Sequence, residues 1–132
     1  NYYTTKLLER LLQRISTETG LSSNELIVIH YLYCFPHSNV TKDMSLFTDV
    51  NQLLLVPLLE KLVFNEYVTR DKSNDSETYY SLSQKADSIT KQLNQLTQDF
   101  DSIRFAGIDS STQELLQTTE ETIYENIRKK LL

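Results

Sequence analysis

The sequence contains very little glycine, proline and cysteine. Its 132 residues include only two glycines and two prolines. Because a β-sandwich or a β-barrel needs many tight turns, this scarcity predicts long helices with few connections between them. The one cysteine, Cys34, excludes a disulfide within the chain and is typical of proteins from a reducing cytoplasm.

Long apolar runs and an excess of basic residues are also missing. The longest apolar run, Leu53 to Leu59, contains Pro57 and is too short to cross a bilayer. No charged and apolar leader opens the chain, so we expect a cytoplasmic protein that does not enter a membrane. The net charge of −5 does not point to nucleic-acid binding, although a local basic cluster can outweigh the overall charge.

Apolar residues recur at helical spacing along most of the chain. Gly20 ends the first predicted helix. Ser22 and Glu25 predict a capping box at the start of the second, which is apolar nearly all round and therefore central. Ser111 and Glu114 predict another capping box, at the start of the last helix. The predicted helices cover about residues 4–19, 23–35, 41–47, 51–65, 84–105 and 111–132.

Two segments rich in aromatic and β-branched residues predict a β-hairpin at residues 67–70 and 78–82. Two helices joined by a short turn and followed by a hairpin form a winged helix-turn-helix. We therefore predict a mainly α fold with a small β-hairpin wing, in one domain over residues 1–132. In this prediction residues 21–83 form the winged helix-turn-helix, and residues 1–20 and 84–132 form flanking dimerisation helices.

The flanking helices carry apolar stripes that the small central part of the domain cannot fully cover. Such stripes are usually buried against a partner chain, most often in a symmetric pair, so we expect a homodimer. The residues predicted to lie in this interface are Leu8, Leu11, Leu12, Leu116, Ile123 and Ile127.

Three motifs give the chain a resemblance to a known family. Pro57–Leu62 reads PLLEKL, Tyr67–Arg70 reads YVTR and Leu82–Lys85 reads LSQK. Together they resemble the MarR family of winged helix-turn-helix transcriptional regulators, and most of all its SarA-type and peroxide-sensing staphylococcal branch. The resemblance extends from Leu21 to about Ala86.

The resemblance implies a bacterial, homodimeric DNA-binding protein that represses or modulates transcription from a pseudo-palindromic operator. The helix over residues 51–65 would enter the major groove, and the wing would touch the backbone or the minor groove. An unidentified small-molecule or protein effector would control the spacing of the two helices that read the DNA. The residues implied to contact double-stranded DNA are Thr41, Lys42, Asn51, Gln52, Leu54, Val56, Arg70 and Lys72.

The sequence departs from the family in its wing and in the charge of its DNA-facing part. The family's wing carries an Asp-x-Arg element, whereas residues 73–77 contain no arginine. The range from His37 to Lys85 contains five Lys or Arg residues and seven Asp or Glu residues, which gives it a net charge of −2. Since each phosphate neutralised by Lys or Arg adds affinity, this part of the chain is expected to bind DNA weakly or only at low salt.

An alternative function follows from the apolar character of the helix over residues 51–65. We expect Asp49 or Asn51 to cap this helix, and Pro57 lies inside it. Its packing needs only about half of the apolar positions on the inner side, so the remaining ones would be exposed. Large exposed apolar patches more often mark a protein partner. The alternative is a winged-helix dimer with degraded DNA contacts that acts through another protein.

Catalytic and metal sites have little support in the sequence. His30, Cys34 and His37 have the i, i+4, i+7 spacing of metal ligands, but Pro36 interrupts the helix, so we expect neither a metal nor another cofactor. No nucleophile elbow or phosphate loop is present, so we do not expect an enzyme. Cys34 is predicted to be an inert, buried thiol. Six tyrosines either line an effector cavity or are half-buried packing residues, namely Tyr2, Tyr3, Tyr31, Tyr33, Tyr79 and Tyr80.

Overall fold

The computed structural model describes residues 2–36, 44–45, 48, 50–72 and 78–131, except for the side chain of Lys72. The chain is mainly helical with one antiparallel hairpin, as predicted. Met44 and Ser45 are helical, and most of the helix predicted over residues 41–47 lies outside the described residues. The elements are α1 (Tyr2–Thr19), α2 (Ser23–Cys34), α3 (Gln52–Phe64), β1 (Val68–Lys72), β2 (Thr78–Leu82), a 3₁₀ turn (Gln84–Ala86), α4 (Asp87–Arg104) and α5 (Ser110–Leu131).

The chain divides into two compact units, Asn1–Gln98 and Asp99–Leu132, with the boundary inside α4. The prediction of a single domain over residues 1–132 stays a prediction. None of the helices that the structure describes combines the length and the apolar character needed to cross a membrane.

The start of α2 is fixed by the predicted capping box. Ser22 Oγ accepts a hydrogen bond from the Glu25 amide at 3.1 Å, and Glu25 Oε1 accepts one from the Ser22 amide at 3.2 Å. These two bonds satisfy backbone donors that the first turn of a helix leaves free. Glu25 is buried, and its Oε1 also lies 3.5 Å from Nζ of Lys61 on α3. The cap therefore links the start of α2 to α3.

The core of the first unit is built around α2, which contacts α1, α3 and β2. Leu26, Val28, Ile29 and Leu32 of α2 are fully buried. A helix that is apolar nearly all round is stable only when it is enclosed on several sides, which is the position that α2 takes. The buried residues of the other elements include Leu55, Leu59 and Leu62 of α3, Val68 and Tyr80 of the hairpin, and Ile89, Leu93 and Leu96 of α4.

Helix α3 begins and ends within a residue of its predicted bounds. The Asn51 side chain accepts a hydrogen bond from the Leu53 amide at 2.9 Å and caps the start. Pro57 lies inside the helix, which continues to Phe64 in spite of the missing amide donor. After the helix the chain turns at Glu66, whose φ is 67°, and the Tyr67 amide donates to the Leu62 carbonyl.

The hairpin packs against the helices through one face. Val68 pairs with Leu82 and Lys72 with Thr78, so five residue pairs join β1 and β2. Val68 and Tyr80 are buried, and the hairpin contacts both α2 and α3. The turn that joins the strands, residues 73–77, lies outside the described residues.

The last helix, α5, begins one residue before the predicted start and uses another cap. The Asp109 carboxylate accepts a hydrogen bond from the Thr112 amide at 2.7 Å. Hydrogen bonding with the Thr112 side chain, and then with this amide, lowers the pKa of Asp109. The predicted capping box of Ser111 and Glu114 is therefore wrong. An ionised carboxylate is a strong acceptor for first-turn amides and is favoured at the positive end of the helix dipole.

Candidate nucleic-acid interface

The side of α3 that faces away from the core is apolar and exposed. Leu55, Leu59 and Leu62 occupy the buried side at i, i+4, i+7 spacing. The residues that flank and oppose them are open to solvent, with exposed fractions of 84% for Leu53, 59% for Leu54, 45% for Val56 and 85% for Phe64. Leu54 and Val56, both predicted to face DNA, are therefore accessible.

The N-terminal end of α3 combines this apolar surface with polar groups. Gln52 is exposed in the first turn, and its side-chain amide is available for contacts outside the helix. Asn51 is also exposed, but its side-chain oxygen is engaged in capping. The partial positive charge of a helix N-terminus favours an anion such as phosphate near this end.

The wing is joined to α3 by a cluster of Glu60, Arg70 and Tyr80. Arg70 Nη1 lies 2.5 Å from Glu60 Oε2, and the Tyr80 hydroxyl donates to Glu60 Oε1 at 3.0 Å. Burial raises the pKa of Tyr80. The hydrogen bond to Glu60 and the negative charge of the Glu60 carboxylate raise this pKa further. Glu60 was not predicted as a site residue, and Tyr80 was considered only for an effector cavity or as a packing residue. Glu60 is 10 positions from Arg70 and 20 positions from Tyr80 in the sequence, so no local pattern could indicate these contacts.

Three cations in the winged part of the chain contact groups of the protein itself. Arg70 is paired with Glu60, and Lys61 with Glu25. Lys85 donates to the Asn65 carbonyl at 2.7 Å, and its Nζ lies 4.4 Å from the centre of the Tyr67 ring. Arg70 keeps a side chain that is 43% exposed, and a guanidinium has five N–H donors, so it can still reach a phosphate.

Three of the predicted DNA contacts fall outside the part that the structure describes. These are Thr41, Lys42 and the side chain of Lys72, whose backbone lies in β1. The structure brings the other predicted contacts to two places. Asn51, Gln52, Leu54 and Val56 lie on the first two turns of α3, and Arg70 lies on β1 beside Glu60.

The residues predicted for dimerisation differ in exposure. Leu116, Ile123 and Ile127 are exposed on α5, where no described residue is buried. On α1, Leu8 is exposed, Leu12 is half-buried and Leu11 is buried. Leu11 therefore packs in the core of its own chain.

A small apolar cavity of about 170 Å³ lies between α1, α2 and α4. None of the six tyrosines that were candidates for an effector cavity lines it. Burial lowers the pKa of His30, which keeps its imidazole neutral at physiological pH. The cavity is lined by Leu8, Leu12, Leu26, Ile27, His30, Leu93, Leu96 and Thr97.

Cys34 is exposed, so the prediction of a buried thiol is wrong. The helix ends at Cys34, where α2 emerges from the core and its neighbours Tyr33 and Phe35 are exposed as well. Desolvation of the sulfur nevertheless raises the pKa of the thiol, so little thiolate is present at neutral pH.

Cys34 Sγ lies 3.6 Å from His30 Nε2, and His37 lies outside the described residues. Within the described ranges, no three potential metal ligands come together.

Comparison by sequence finds no relative, since no family sequence model and no curated protein matches the chain. Comparison by structure finds many. A MarR transcriptional regulator from Methanosarcina mazei Go1 superposes with a TM-score of 0.78 at 16% identity, over 97% of this chain and 93% of its own. A MarR-family regulator from Silicibacter pomeroyi gives a TM-score of 0.80 at 17% identity, over 95% and 85% of the two chains.

A third similar structure contains DNA. It is a putative MarR-family regulator from Listeria monocytogenes in complex with a 26mer DNA, with a TM-score of 0.78 at 10% identity. The superposition covers 96% of this chain and 85% of that one. At such low identities these likenesses show the fold, which is the winged-helix fold of MarR regulators.

Proposed function

We propose that this winged-helix protein is a DNA-binding transcriptional regulator of the MarR type that acts as a homodimer in the cytoplasm. The observation that carries the proposal is the exposed, capped N-terminal half of α3, which lies beside a hairpin in the arrangement of a winged helix-turn-helix. The 26mer DNA bound by the similar Listeria protein supports the same use of this fold. The protein would repress or modulate transcription without a cofactor or an enzymatic reaction.

In this proposal α3 enters the major groove and the hairpin touches the adjacent backbone. A symmetric dimer would place two copies of α3 in successive major grooves, so the operator would be pseudo-palindromic, with half-sites about 34–36 Å apart. The branch of the family remains a prediction: the motifs in Pro57–Leu62 and Tyr67–Arg70 favour the SarA-type and peroxide-sensing staphylococcal proteins.

The dimer would cover apolar surface that a single chain leaves in water. Leu116, Ile123 and Ile127 follow i, i+7, i+11 spacing on α5 and are all exposed. Burying each such side chain stabilises an interface by about 1.5–3 kcal/mol. The same helix is acidic at Glu120, Glu121 and Glu125 and basic over Arg128–Lys130, so two antiparallel copies would have complementary charges.

An effector that controls the dimer would occupy the cavity between α1, α2 and α4. Its volume of about 170 Å³ is below the roughly 300–1,000 Å³ of drug-sized sites, so the effector would be small and mostly apolar. Because α2 also contacts α3, a ligand wedged against Leu26 and Ile27 would displace the helix on which α3 rests. The two copies of α3 would then change their spacing.

A protein partner is the second candidate, and the exposure of Leu53 and Phe64 favours it. Both side chains are more than four-fifths exposed on the outward side of α3, and such patches often mark protein interfaces. Binding through this apolar surface would change little with salt, whereas DNA binding weakens steeply as salt is added.

The proposed function is tested by fluorescence anisotropy with a pool of random duplex DNA at about 50 and 200 mM salt. We expect binding at the lower salt that weakens strongly at the higher salt, because counterions are released from each neutralised phosphate. Absence of binding at both salt concentrations would contradict the DNA-binding proposal and favour the protein partner.

The double variant Arg70→Ala/Lys72→Ala tests the wing. If both side chains touch phosphate, affinity falls for all sequences alike, and the slope of log K against log salt falls by about 0.9 for each phosphate that is no longer neutralised. Lys6→Ala is the matched control, because Lys6 lies on α1 in an exposed pair with Glu9. An unchanged slope in the double variant would remove Arg70 and Lys72 from the site.

A further inference from the structure

We propose that the N-terminal half of α3 reads thymine methyl groups, so that the DNA half-site is rich in A·T pairs. This inference rests on the proposed function and adds the chemistry by which α3 selects its sequence. It is carried by the exposed apolar side chains Leu53, Leu54 and Val56 on the first two turns of α3.

These three residues have the right chemistry for one feature of the major groove. Thymine is the only one of the four unmodified bases that presents a methyl group there, and apolar side chains contact it. Leu53 and Leu54 are the more exposed of the three, and they lie directly after the capped helix start. Gln52 precedes them, and a glutamine amide can form two hydrogen bonds with the adenine of an A·T pair.

The charges on α3 do not compete with this mode of recognition. Glu60 and Lys61 are the only charged residues of the helix, and both are paired, with Arg70 and Glu25 respectively. The carboxylate of Glu60 also accepts the hydrogen bond from Tyr80. With no arginine or lysine in its first two turns, α3 lacks the side chain that most often recognises guanine.

The experiment compares thymine with uracil in the same DNA. Duplexes that bind are selected from a random pool at low salt, and the best of them is then made with dT and with every dT replaced by dU. The dU duplex keeps each base pair and each phosphate but lacks the methyl groups. We expect the wild-type protein to bind the dU duplex more weakly, by about fourfold for each methyl group that α3 contacts. This factor corresponds to the free energy of burying one methylene group.

The protein side of the experiment uses Leu53→Ala/Leu54→Ala. This variant is expected to lose most of the preference for the dT duplex, because the two more exposed of the three apolar side chains are gone and only Val56 remains; such a cycle isolates the pairwise interaction. Phe64→Ala is the matched control. It also removes an exposed apolar side chain from α3, but 11 residues further along, about 16 Å from Leu53, and should keep the preference for dT.

The outcomes separate this inference from the proposed function. Equal binding of the dT and dU duplexes by the wild-type protein, or a selected half-site made of G·C pairs, would overturn the inference while DNA binding stands. A dT preference as large in Leu53→Ala/Leu54→Ala as in the wild-type protein would also overturn it. No selectable DNA at low salt would overturn both.

Discussion

Leu59→Ala is expected to lower the free energy of unfolding by roughly 2–5 kcal/mol, as buried leucines do when they are truncated. Leu59 is fully buried on the inner side of α3. Its truncation removes apolar packing and leaves a cavity that close-packed neighbours fill only in part. The measurement is urea denaturation followed by far-UV circular dichroism, in which the midpoint should fall without a change in slope.

Leu53→Ala is the control for this prediction, since it makes the same substitution on the same helix. Leu53 is exposed, so its truncation should change the free energy of unfolding by no more than about 0.5 kcal/mol. Equal decreases in the two variants would mean that Leu53 is buried in solution, either by α3 packing differently or by a partner chain. Either result would mean that Leu53 is not available for the proposed DNA contacts.

Ile123→Lys/Ile127→Lys is expected to convert the proposed dimer to monomers. Both isoleucines are exposed on α5, and in the dimer each would lie in an apolar interface. An unpaired ammonium in such an interface loses its hydration and costs several kcal/mol, which is a large part of the association energy. Size-exclusion chromatography with light scattering measures the change in mass directly.

Thr118→Lys/Thr122→Lys is the matched control for charge. It adds the same two ammonium groups to α5, at exposed positions outside the i, i+7, i+11 stripe of Leu116, Ile123 and Ile127. This control should remain a dimer. A dimer that persists in Ile123→Lys/Ile127→Lys would exclude the α5 stripe as the interface, and a monomeric wild-type protein would exclude the homodimer itself.

The helices could be predicted from the sequence because their signals are local. The capping box of Ser22 and Glu25 and the stop at Gly20 depend on neighbours within one turn, and both are confirmed. Periodicity also identifies α3, whose inner leucines follow one side of a helix. The cap of α5 could not be predicted in this way, because Asp109 competes with Ser111 for the same role and a carboxylate is the stronger acceptor.

The site was less predictable because its contacts join distant parts of the chain. The sequence indicates that Leu53, Leu54 and Val56 are apolar, but only the packing of α3 shows that they point outward. The apolar residues around Cys34 predict a buried thiol, whereas its position at the last turn of α2 leaves it exposed. Exposure at a helix end depends on what covers that end, which composition does not reveal.

The pairing of Arg70 with Glu60 has a consequence for the operators that the proposed dimer would tolerate. Because Arg70 and Tyr80 fasten the wing to α3, each protomer would carry these two elements to DNA as one rigid piece. The distance between the base pairs read by α3 and the backbone touched by the wing is then constant. An insertion within a half-site would therefore weaken binding, because it changes a distance that the protein cannot adjust. An insertion between half-sites would be accommodated only by a change at the interface between the protomers.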